Sequence, residues 1–149
     1  MNDPFPSMLF LIHLASTLFM TGLIWFVQIV HYPLLGRIAA NDVPEYEQAH
    51  TRLTTWVVGP PMLAELVSGV LLLWYRPVGV SMLPVCLGLA LLAVIGCSTQ
   101  FLQIPCHRRL SRAYDPDVHR RLVQSNWIRT VAWSLRGVLV LWMLWIVLV

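Results

Sequence analysis

Residues 8–33 read MLFLIHLASTLFMTGLIWFVQIVHYP, an apolar run from Met8 to Val30 closed by Gln28, His31 and Pro33. At 1.5 Å per residue this run makes a helix of about 35 Å, enough to cross the ~30 Å hydrocarbon core of a bilayer. Three further runs of similar character follow at residues 56–75, 82–104 and 127–149. The expected fold is all-α: an integral membrane four-helix bundle, one four-span domain over residues 1–149, with spans at about 8–30, 56–75, 82–104 and 127–149.

Composition agrees. Of the 149 residues 58% are hydrophobic and only 11% charged, with a mean hydropathy of +0.70. A soluble domain carries roughly a quarter charged residues, so that class is excluded. The basic residues are all arginine, the net charge is +3, and no basic stretch is interleaved with stacking aromatics, which argues against nucleic acid as a partner. Cys86, Cys97 and Cys106 are odd in number and lack CxxC spacing, so no disulfide framework is expected. Met1-Asn-Asp-Pro carries an acid and no base, unlike the start of a cleavable signal peptide, so the first span is expected to stay.

Arginine placement sets the expected orientation. Arg37 and Arg52 lie between spans one and two; Arg108, Arg109, Arg112, Arg120 and Arg121 lie between spans three and four, with Arg129 at the edge; Arg76 stands alone on the other side. The positive-inside rule puts both arginine-bearing loops in the cytoplasm and both termini on the non-cytoplasmic side of a cell inner membrane. The halves resemble each other: an apolar span, a Gln-His end (Gln28/His31; Gln103/His107), an acidic turn with proline, then a second span ending in Leu-Trp. Two repeated helix-pair halves, parallel about the membrane normal, are one reading. Chance matches within a small hydrophobic alphabet are the other.

Polar side chains at helical spacing mark the faces that avoid lipid. They are His13, Thr17, Thr21, Gln28 and His31 in span one, and Thr55, Met62, Glu65 and Gly69 in span two. Spans three and four contribute Gly96, Gln100, Gln103 and His107, then Asn126, Arg129, Thr130, Trp133 and Arg136. Four such faces predict a polar interior, a cavity opening toward the cytoplasm. Glu65 and Arg136 each fall nine residues into their span and are expected to pair at its floor, as structural ion pair or as chemistry. Glu45, Glu47 and His50 fall on a segment expected to face water. His31, His50 and His107 are the candidate cofactor ligands, for haem or a transition metal, the metal itself unspecified. Glu65, His107, Asn126, Arg129 and Arg136 are the candidate catalytic residues.

The segments Gln103-Ile-Pro-Cys-His107-Arg-Arg-Leu and Asn126-Trp-Ile-Arg129-Thr-Val-Ala-Trp133-Ser-Leu-Arg136, with His31-Tyr-Pro33, resemble a family of small four-span bacterial membrane proteins. That family is similar in layout to a superfamily that includes fungal anthrone oxygenases. The resemblance implies oxygen insertion into a polyphenolic ring and points to His107, Asn126 and Arg129. The four-span haem proteins of the protoporphyrinogen oxidase family are similar in size and have a histidine in span one, as His13 is here. Their lysine-containing basic motifs are not matched.

Two functions follow as expectations. One is a membrane oxidoreductase or oxygenase acting on a hydrophobic small molecule, with His31, His107 and Glu65 holding a cofactor or moving protons and the arginines stabilising an oxyanion. The other is a non-enzymatic protein, a small transporter protomer or an accessory subunit of a larger membrane complex or homo-oligomer. A third use, binding of anionic lipid by residues 108–121, competes with their role in topology.

Overall fold

The computed structural model describes residues 4–149, and among these the chain forms four helical rods and no strand. They are α1 (Phe5–Leu35), α2 (Val43–Leu71), α3 (Met82–Leu110) and α4 (Pro116–Leu148). Three of them, α1, α3 and α4, are long and apolar enough to cross a membrane. α2 has the length but includes Glu45, Glu47, Arg52 and Glu65. It starts well before the expected span at residue 56 and ends at Leu71, short of Tyr75. Pro60 and Pro61 lie inside it without ending it.

Helix starts follow local chemistry. The Asp115 carboxylate accepts from the backbone N–H groups of Asp117 (2.9 Å) and Val118 (3.2 Å), capping α4 just before Pro116. Asp42 occupies the matching position before α2 but makes no side-chain cap bond. Between α2 and α3, Gly79 takes φ +88°, a conformation that disfavours any side chain, and the Arg76 guanidinium donates to the Leu73 carbonyl.

Two helices share an irregularity that periodicity could not announce. α1 widens into a π-helical turn at Val27–His31 and α3 does so at Thr99–Gln103. Each turn is closed by an i→i−5 bond, Tyr32 N–H to Val27 C=O and Ile104 N–H to Thr99 C=O. A proline follows at the same distance in both, Pro33 and Pro105. Proline has no N–H and its ring collides with the carbonyl four residues back. A wider turn just before it relieves that collision, and π turns of this kind recur at functional sites.

α1 packs along α2 and α4, and α3 packs along α4, whereas α2 and α3 meet sparsely and leave a seam. Apolar and polar layers alternate along the bundle. At one end Leu9, Phe10, Leu72, Val85 and Met143 cluster. In the middle Met20, Ile24, Ile95, Ala132 and Trp133 do so. At the arginine-rich end the cluster is Tyr32, Leu35, Val43, Cys106, Leu110 and Leu122. The polar residues lie between these layers. Trp25 meets Trp127 edge-on at 5.7 Å on the outside.

Candidate functional site

The deeper polar layer is closed. Glu65 and Arg136 pair as expected, Arg136 Nη2 lying 3.1 Å and Nε 3.3 Å from Glu65 Oε1. Trp133 Nε1 donates to Glu65 Oε2 at 3.1 Å, and Arg136 also donates to the Gly88 carbonyl and, at 3.4 Å, to Thr17 Oγ1. Glu65 is fully buried and Arg136 is 1% exposed. Nearby, His13 Nδ1 and Ser68 Oγ are 2.8 Å apart. Every charge here has a partner, which is what a buried ion pair needs to be tolerated.

The second polar layer lies toward the arginine-rich end and borders a cavity of about 360 Å³. Gln28 Oε1 accepts from Asn126 Nδ2 at 2.8 Å; Asn126 Oδ1 in turn accepts from Arg129 Nε at 2.9 Å. Arg129 Nη1 donates to Thr99 Oγ1 at 3.3 Å, and its guanidinium lies 5.8 Å over the Trp133 ring. Arg129 is thus held from three sides with part of its fork facing the cavity, beside the Tyr32 phenol. Asn126 bridges Gln28 to Arg129 and so fixes the direction of the guanidinium. Trp133 borders the cavity but turns its N–H away to Glu65, so the ion pair lies behind it.

At the mouth stands a chain of hydrogen bonds that sequence reasoning missed. Glu47 Oε2 lies 2.7 Å from His107 Nδ1, and His107 Nε2 lies 3.1 Å from the Tyr32 hydroxyl. Glu47, expected to face water, is fully buried. A carboxylate at Nδ1 fixes the proton there and leaves a lone pair on Nε2 for Tyr32 O–H. The order is carboxylate, imidazole, hydroxyl, the arrangement in which an orienting acid supports a base and the base activates a hydroxyl. Tyr32 is anchored from behind, since His119 Nε2 donates to its carbonyl at 2.8 Å. Gly36 permits that approach: a Cβ there would fall 2.7 Å from His119 Cε1.

His31 and His50 do gather beside His107, but as a stack. Their ring centroids are 4.1 Å apart at 23°, and His50 and His107 are 5.7 Å apart. Stacked rings run their lone pairs parallel; a metal needs them convergent. Both His107 nitrogens are engaged, and His50 Nδ1 lies 3.1 Å from Thr54 Oγ1. Among the described residues no three His, Cys, Asp or Glu side chains form a metal-binding group. The expected set His31, His50 and His107 therefore does not converge as a three-ligand transition-metal site, while His31 Nε2 is buried with no hydrogen-bond partner. Burial first, then the His31 ring beside it and to a lesser degree His107, push the His50 imidazole down to about 4 against the pull of Glu47.

No family model, curated protein or solved structure matches this chain. The site offers a supported base at Tyr32 and His107, a fixed cation at Arg129, and apolar walls from Met20, Ile24 and Val58. Glu65 and Arg136 do not join it. Sequence reasoning had a signal for Glu47: Val43, Glu47, His50, Thr54, Val58 and Glu65 continue one helical face without a break.

Proposed function

We propose that this chain is a membrane enzyme of the oxidoreductase or oxygenase type that deprotonates a hydrophobic ring substrate and holds the resulting oxyanion against Arg129. One observation carries the reading: the Glu47–His107–Tyr32 chain ends at a mixed-polarity cavity with a pinned guanidinium beside the phenol. A substrate O–H or activated C–H presented there loses its proton to Tyr32 or His107, and Glu47 stabilises the imidazolium. Arg129 meets the negative charge that develops. In the oxygenase form, a CH2 between aromatic rings becomes a carbonyl, one atom of dioxygen ending in the product and the other leaving as water with the two hydrogens. The segments around His107 and Asn126 resemble a family of small four-span bacterial membrane proteins that is similar in layout to the superfamily of anthrone oxygenases, and that resemblance supports this chemistry.

The same proposal has all four helices crossing the inner membrane, with the arginine-rich end in the cytoplasm. Trp56, Val57, Leu63, Leu66, Val67 and Val70 give α2 an exposed apolar face of its own, which water would not favour. The test is oxygen uptake by purified protein in nanodiscs supplied with an anthrone-type substrate. Uptake that stops in His107→Gln supports the reading; uptake indifferent to that change sinks it. A transporter protomer or accessory subunit is the second reading, favoured by the matching π turns of two helix-pair halves.

A further inference from the structure

Met62 lines both the cavity and a neighbouring apolar groove of about 480 Å³ on the α2–α3 seam. Leu63, Leu66, Leu92 and Gly96 wall this groove, and no polar side chain faces it. Leu63 is 62% exposed and Leu66 49%, so the groove opens outward. The cavity is its electrical opposite. Arg129 stands at its inner end, Arg108 at its rim, and none of its described lining residues is Asp or Glu.

We propose that the site takes a single-tailed amphiphile with an acidic ring as its head group, admitted sideways from the bilayer through the α2–α3 seam. The ionised head reaches Arg129 and the tail stays in the groove. This rests on reading the cavity as a substrate site and adds the substrate's class and route. A hydrophilic anion would leave the groove unused, and a neutral hydrocarbon would leave Arg129 facing an apolar ligand, with the desolvation cost that entails. A molecule with both parts satisfies both regions, and its partition into lipid concentrates it where the seam opens.

The test compares two probes on detergent-purified protein: an acidic hydroxynaphthoquinone, bare or carrying a long alkyl tail. Ligands that bind the folded state raise the unfolding midpoint, and the dose dependence gives an apparent affinity. The tailed probe is expected to bind at least about tenfold tighter than the bare one. Gly96→Leu and Ala93→Phe, which fill the groove, should bring the tailed probe down to the affinity of the bare one. A Cβ at Gly96 meets no atom within 4 Å, so that variant should melt normally without probe. Arg129→Gln should weaken both probes, and Arg129→Lys less so. Equal affinity for the two probes, or tailed binding untouched in the groove variants, overturns the proposal. So does loss of the tailed-probe shift on adding anionic phospholipid, which would assign the site to a bound lipid. Tail-dependent binding with oxidation unaffected by His107→Gln would keep this proposal and remove the catalytic reading; the reverse result would do the opposite.

Discussion

Glu47 and His107 lie 60 residues apart in the chain and 2.7 Å apart in space, the carboxylate fully buried behind the imidazole. Glu47→Gln keeps the shape but removes the negative charge that orients His107 and supports its imidazolium. Turnover should fall by at least about 100-fold, with a smaller change in substrate affinity, because general-base assistance is worth that much. Steady-state oxygen uptake against substrate concentration separates the two effects.

Arg129 is expected to act on turnover as well as on binding of an ionised head group. Arg129→Gln should lower turnover by about 100- to 1,000-fold, the range for losing an oxyanion donor. Asn126→Ala should give a milder loss, since Asn126 accepts from Arg129 Nε at 2.9 Å and sets its direction. Restoration by Arg129→Lys should be partial, because an ammonium lacks the planar fork. The same uptake assay, run across the three variants, gives the ranking.

The Glu65–Arg136 pair should show itself in stability. Glu65→Gln or Arg136→Met alone strands a buried charge and should cost about 3–5 kcal/mol; combining Glu65→Leu with Arg136→Met should recover much of that loss. Denaturant titration in mixed micelles measures both. A double variant as unstable as the sum of the singles would show that the pair is irreplaceable by packing.

His50 makes stability fall in acid. Its folded value of about 4 lies below the ordinary 6.5, so the unfolded chain binds the proton more readily. Its contribution is fully present above 6.5 and is lost as pH drops from 6.5 through about 4. Unfolding midpoints across that interval should decline, and His50→Phe, which keeps a ring in the stack, should flatten the decline.

Much of the frame was legible. Apolar runs located α1, α3 and α4, and Glu65 and Arg136, expected to pair, do so. The candidate site was half legible. His107, Asn126 and Arg129 came from polar spacing and from resemblance, and the structure sets His107 and Arg129 at one cavity with Asn126 buried behind Arg129. Tyr32 and Glu47 were hidden for different reasons. Tyr32 follows a π turn, where a 3.6-residue period no longer tells which side chains share a face. Glu47 precedes the apolar part of α2, and a charged residue there reads as solvated until a partner 60 residues away is known. Gln100, expected on an inward face, is exposed, since the π turn at Thr99–Gln103 intervenes.

The two π turns start 72 residues apart, at Val27 and Thr99, and Pro33 and Pro105 keep the same spacing. Each amounts to one residue more than a plain helix would need for that stretch. Removing one residue from either turn would swing everything beyond it by about 100°. In α1 that would carry the Tyr32 hydroxyl away from His107; in α3 it would carry His107 away from both Tyr32 and Glu47. The hydrogen-bonded chain thus exists by virtue of two single-residue surpluses, and the distance from an inert bundle to one with a supported base is two codons.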